Sequence, residues 1–140
     1  MTWRELFLTP RGFLMIGGAV LVIIGVIGFL NVFTSQGFYL TTGENVAHLA
    51  IGAIALGAVF LPGVKSTLRP YYRSLVIAIG LVALFFAVYG LLLPGGNPPT
   101  DLNLFGLANL ELWDSAINFI VFIWAFAAAF ASPPEGKPAV

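Results

Sequence analysis

Apolar residues run without a charged interruption through residues 12–30, 45–61, 75–93 and 115–131, and the polar positions gather between these stretches. A bilayer core about 30 Å thick is crossed by roughly 20 apolar helical residues, so each stretch predicts one transmembrane helix. The second and fourth lie near the short limit, and their ends are expected to rest in the interface. All nine prolines fall between or beyond the stretches. Proline punctuates helices that must satisfy their backbone groups internally. The predicted fold is therefore all-α: an integral membrane up-down-up-down four-helix bundle over residues 1–132, followed by a short flexible tail over residues 133–140. Short connections favour antiparallel neighbours.

Composition strengthens this picture. Hydrophobic residues make up 59% of the 140 positions and charged residues 9%, with a mean hydropathy of +0.99. That leaves too little polar surface to clothe a water-soluble domain. The amino end is basic before apolar like a signal sequence, but its apolar run is long and lacks a small-x-small cleavage pattern. An uncleaved first span is expected. The absence of cysteine excludes thiolate chemistry and cysteine-based metal or cluster ligation.

The charges add orientation. Arg4, Arg11, Lys65, Arg69, Arg73 and Lys137 occupy only the first, third and fifth segments between or outside the stretches, while Glu44, Asp101, Glu111 and Asp114 lie in the others. By the positive-inside rule both termini face the cytoplasm. Trp3, Tyr71 and Tyr72 are expected in one aromatic belt and Tyr39, Tyr89 and Trp113 in the other. With a formal net charge of zero and no further basic cluster, nucleic acid is not an expected partner; the bilayer is.

The second pair of stretches reads as a distant copy of the first. A shift of 62 residues pairs Arg11 with Arg73, Gly18 with Gly80 and Gly28 with Gly90. A shift of 70 pairs Glu44 with Asp114, His48 with Asn118 and Phe60 with Phe130. Two origins fit, tandem duplication of a helical hairpin or convergent patterning; duplication would relate the hairpins by an axis along the membrane normal. Small residues are the expected helix-contact sites because lipid supplies no hydrophobic drive. Gly18 and Gly25, Ala53 and Gly57, and Ala125 and Ala129 stand at helical spacing for that purpose.

Candidate chemistry is sparse. Thr41 to Glu44 matches a capping box, in which a hydroxyl and a carboxylate satisfy orphan amides at a helix start. His48, the only histidine, follows one turn later on the same face. Three readings stay open for it. One is a neutral histidine inside the bundle, hydrogen-bonded to Glu44, Asn118 or a loop carbonyl. Another is an axial ligand to a haem or (bacterio)chlorophyll, for which Gly52 and Ala55 on the same face would leave room. The third is a proton-responsive or substrate-contacting group. Asp114 and Asn118 repeat the one-turn relation at the start of the fourth stretch, with Asp114 as a first-turn acid. His48 and Asn118 thus suggest a paired polar site just below the non-cytoplasmic surface. One imidazole and scattered carboxylates do not make a metal site. No Asp, Glu, Lys or Arg lies in the central half of any stretch, which argues against catalysis and against proton-coupled transport by this chain alone.

The run E-N-V-A-H-L-A-I-G in the second of four spans resembles a family of small bacterial four-helix membrane proteins of unknown function. Its Asn-x-x-His-x-x-x-Gly signature falls on Asn45, His48 and Gly52. The resemblance implies the four-helix fold and a bacterial plasma (inner) membrane address, and it carries no activity. The expected role is that of a non-enzymatic accessory or structural component packing against other membrane-protein subunits or copies of itself. The alternatives are a macrocycle-binding subunit using His48 and a small oligomeric transporter.

Overall fold

A computed structural model describes residues 2–30, 40–93, 110 and 112–131. The elements are α1 (Trp3–Phe7), α2 (Pro10–Phe29), α3 (Thr42–Phe60), α4 (Pro62–Leu68), a 3-10 turn (Arg69–Tyr71), α5 (Tyr72–Leu92) and α6 (Leu112–Phe130). No strand occurs among the described residues. Four helical segments are long and apolar enough to cross a membrane, and the chain is a multi-pass integral membrane protein with an all-α bundle fold. The tail over residues 133–140 lies outside the described residues.

Helix starts follow from local chemistry. Thr9 caps α2, accepting from the Gly12 amide at 3.0 Å, and Pro10 occupies the first turn, where no amide donor is needed. Thr41 and Glu44 form the expected capping box, with Thr41 N donating to Glu44 Oε2 at 2.6 Å and Glu44 N to Thr41 Oγ1 at 3.2 Å. This cap starts α3 at Thr42, a turn before the apolar run begins. At 19 residues, with about 1.5 Å of rise each, the helix is near the bilayer thickness.

The polar connection expected over residues 62–73 is helical instead. Pro62 sits in the first turn of α4, and Pro70 lies in the 3-10 turn that leads into α5. Pro70 has no N–H for the Ser66 carbonyl, so the backbone tightens there without breaking.

α2 packs along α3 and α5 along α6, and contacts between these two hairpins are far fewer. Both are built on one register. The shift of 62 carries buried Leu14, Gly18 and Gly25 onto buried Val76, Gly80 and Ala87. The shift of 70 carries buried Asn45, Ala55, Ala58 and Val59 onto buried Ser115, Ala125, Ala128 and Ala129. Contacts repeat as well: Gly18 lies against Ala55 and Leu56, and Gly80 against their equivalents Ala125 and Phe126.

The core joining the hairpins lies at the end where α2 and α5 begin and α3 and α6 finish. It includes Phe13, Val59, Tyr72, Val76 and Ala129. Trp124 of α6 touches Phe13 with ring centroids 4.6 Å apart, and its indole N–H donates to the Phe7 carbonyl at 2.7 Å. This bond ties α1 to α6 while α1 packs against α2 at Gly12.

Candidate functional site

The seam between α2 and α3 is made by missing side chains. A Cβ on Gly52 would stand 2.7 Å from the Gly18 carbonyl oxygen and 2.9 Å from the Val22 amide nitrogen; one on Gly25 would stand 2.9 Å from the Asn45 carbonyl oxygen. These are backbone atoms that cannot rotate away, so glycine permits the close approach. Gly18, Gly25, Gly52, Ala125 and Ala129 are all buried. Ala53 does not belong to a seam, for it is exposed. A Cβ on Gly57 would meet only Leu61 of its own chain run, at 3.4 Å. Ala55 and Ala58, two and five positions beyond Ala53, take the buried face instead.

Asn45 is the deepest polar side chain of α3, at 3% exposure. Its amide oxygen lies where a side chain on Gly28 would have to go. His48, one turn further along α3, is half-buried. Asn45 Oδ1 and His48 Nδ1 are both buried, with no hydrogen-bond partner among the described residues. A pair of unsatisfied polar atoms in an apolar seam is costly, which makes this turn the most polar locus inside the hairpin.

The expected paired site across α3 and α6 is not assembled. Asn118 Nδ2 donates to the Asp114 carbonyl of its own helix at 2.8 Å, and α3 and α6 share no extended interface. Glu44 is engaged by the Thr41 amide. Glu44, Asn45 and His48 are thus gathered on one turn, and Asp114 and Asn118 on another. Ser115, the equivalent of Asn45, is buried beside the second pair at 1% exposure.

A macrocycle does not fit the face proposed for it. The room that Gly52 and Ala55 leave is filled by the α2 backbone and by Val22, whose Cγ2 would lie 2.8 Å from a Cβ on Gly52. A flat ring against His48 would have to part the α2–α3 seam.

Two residues for which the sequence suggested no bonding partner do structural chemistry at the opposite end. Tyr72, expected in an aromatic belt, is instead 1% exposed, and its hydroxyl donates to the Ala58 carbonyl at 2.6 Å. Arg73 Nε donates to the Ala129 carbonyl at 2.7 Å. The signal for Tyr72 was in the chain: Pro62 stands four residues beyond Ala58 and cannot supply the helical N–H that carbonyl would otherwise accept. Trp3, Tyr71 and Trp113 remain exposed, as belt residues are; Tyr39 lies outside the described residues.

The fold and this geometry define a multi-pass membrane protein of two like hairpins. No protein-family model, curated protein or solved structure matches the chain.

Proposed function

We propose that this chain is a non-enzymatic accessory or structural membrane protein that packs against other membrane-protein subunits or copies of itself. The observation that carries this reading is where the small residues and the apolar surface are spent. Glycines close the first hairpin onto backbone atoms, and Gly80 of the second lies against the Ala125 and Phe126 side chains, while no more than 28% of any span is buried within the chain. The remaining helical surface is apolar, including Ile23, Ile54, Phe85 and Ile120. Such faces suit lipid and neighbouring helices.

The resemblance carried by Asn45, His48 and Gly52 adds a bacterial plasma-membrane address to the proposal. The basic residues at the end where α2 and α5 begin add an orientation with both termini in the cytoplasm.

The test is co-purification of the tagged full chain from native membranes in mild detergent, with mass spectrometry and an absorption spectrum of one sample. A stoichiometric protein partner, or a defined homo-oligomer, in a colourless sample is expected. A monodisperse single copy with no partner would overturn the reading, and a Soret or chlorophyll band lost in His48→Ala would replace it with the macrocycle reading. A carboxyl-terminal reporter found outside the cytoplasm would reverse the orientation.

A further inference from the structure

The end of the bundle at which α2 and α5 begin holds Arg4, Arg11, Lys65, Arg69 and Arg73. Glu5 is the one carboxylate among the described residues there, and it is occupied by the Thr2 amide at 2.7 Å. Arg73 is turned to the Ala129 carbonyl. The side chains of Arg4, Arg11, Lys65 and Arg69 make no hydrogen bond or ion pair with another described residue. Lys65, Arg69 and Arg73 also recur every four residues along the helical run from Pro62 to Leu92, so like charges stand one turn apart and repel. Exposed Trp3, Tyr71, Leu61 and Val64 alternate with these cations, which places them where aromatic and aliphatic groups meet lipid headgroups.

We propose that this basic end binds the phosphate headgroups of anionic phospholipids in the adjoining leaflet. Charge complementarity selects the headgroup, and the flanking apolar side chains select a lipid over a soluble phosphate. α1 with the first turn of α2, and α4 with the 3-10 turn after it, supply the contacts, their cations beside apolar groups at the end of a span. This inference does not depend on whether the chain has a protein partner.

The test uses the full chain reconstituted in nanodiscs of phosphatidylethanolamine and phosphatidylglycerol, with retained lipid counted by native mass spectrometry. Wild type should retain phosphatidylglycerol preferentially. R4Q/R11Q and K65Q/R69Q should weaken that retention about five-fold for each charge removed, and R69K should preserve it. Raising salt from 0.05 to 0.5 M should reduce the preference of the wild type without any substitution. Equal retention of both lipids by wild type, a preference indifferent to salt, or an unchanged ratio in the combined four-site glutamine variant would overturn the proposal. Release of the lipid by millimolar inorganic phosphate would also overturn it, by assigning the cations to a free anion.

Discussion

The Tyr72 hydroxyl donates to the carbonyl of Ala58 across 2.6 Å, and Ala58 is the residue whose helical donor Pro62 removes. A proline that ends α3 and begins α4 thereby creates an acceptor in the core, and the first residue of α5 satisfies it. The bond links the second hairpin to the first where both are most buried. Tyr72→Phe keeps the ring and strands the carbonyl, so a loss of about 1–2 kcal/mol is expected with helix content unchanged. Restoring an amide at the proline should shrink that loss, so the Tyr72→Phe effect measured in a Pro62→Ala background is the decisive comparison. Reversible unfolding in mixed micelles followed by circular dichroism reads both; an undiminished loss would show that the hydroxyl does not answer for the proline.

Two neighbouring kinds of glycine should respond oppositely to one methyl group. Gly52→Ala presses a Cβ onto the Gly18 carbonyl and the Val22 amide, and parting the hairpin should cost about 1–3 kcal/mol. Gly17→Ala meets nothing closer than Trp124 Cζ3 at 3.9 Å; its stability should stay within about 0.5 kcal/mol of wild type or rise slightly through helix propensity. Equal effects in the same unfolding assay would contradict the seam.

Trp124→Phe separates the indole N–H from the ring. The aromatic contact with Phe13 survives, whereas the bond to the Phe7 carbonyl, 2.7 Å long, is lost. Losing about 1 kcal/mol of local holding should raise amide exchange across residues 3–7 about five-fold, with exchange in α5 unchanged. Protection of α1 equal to that of wild type would show that the indole does not anchor it.

The start of α1 carries its own pH dependence. The backbone amide of Thr2 draws the fully exposed Glu5 carboxyl below its ordinary value of 4.5. A depressed folded value means the contribution is complete above the unfolded value and disappears as pH falls through the folded one. α1 amides should therefore exchange faster as pH drops from about 5 toward 3, after correction for intrinsic rates, and Glu5→Gln should flatten that response. A profile identical in wild type and variant would remove the capping box from the account.

The legibility of this chain was uneven for reasons visible in particular residues. The capping box at Thr41 and Glu44 could be read directly, since its partners lie three positions apart and the geometry is local. Gly18 and Gly25 could be placed on a seam by spacing alone. Ala53 was misplaced by the same reasoning, because a span whose buried and lipid-facing sides are both apolar offers no pattern to tell which small residue faces a helix. His48 and Asn118 looked like partners because they hold equivalent positions in two hairpins. Equivalence under the repeat assigns each its own hairpin, and Asn118 is satisfied within α6.

By itself the chain determined the solvent, the number of spans, the segregation of charge and the register of the repeat. Each of these is a property of composition or spacing along one dimension, and the bilayer enforces it through the cost of exposing backbone and charge to hydrocarbon. Only the tertiary structure decided which face of α3 meets α2, that this face has no room for a flat ring, and that Tyr72 answers the carbonyl orphaned by Pro62 and Arg73 the carbonyl of Ala129. Those outcomes depend on how helices are rotated about their axes. In an apolar solvent hydrophobicity does not encode that rotation; close packing of small residues and the pairing of backbone groups do.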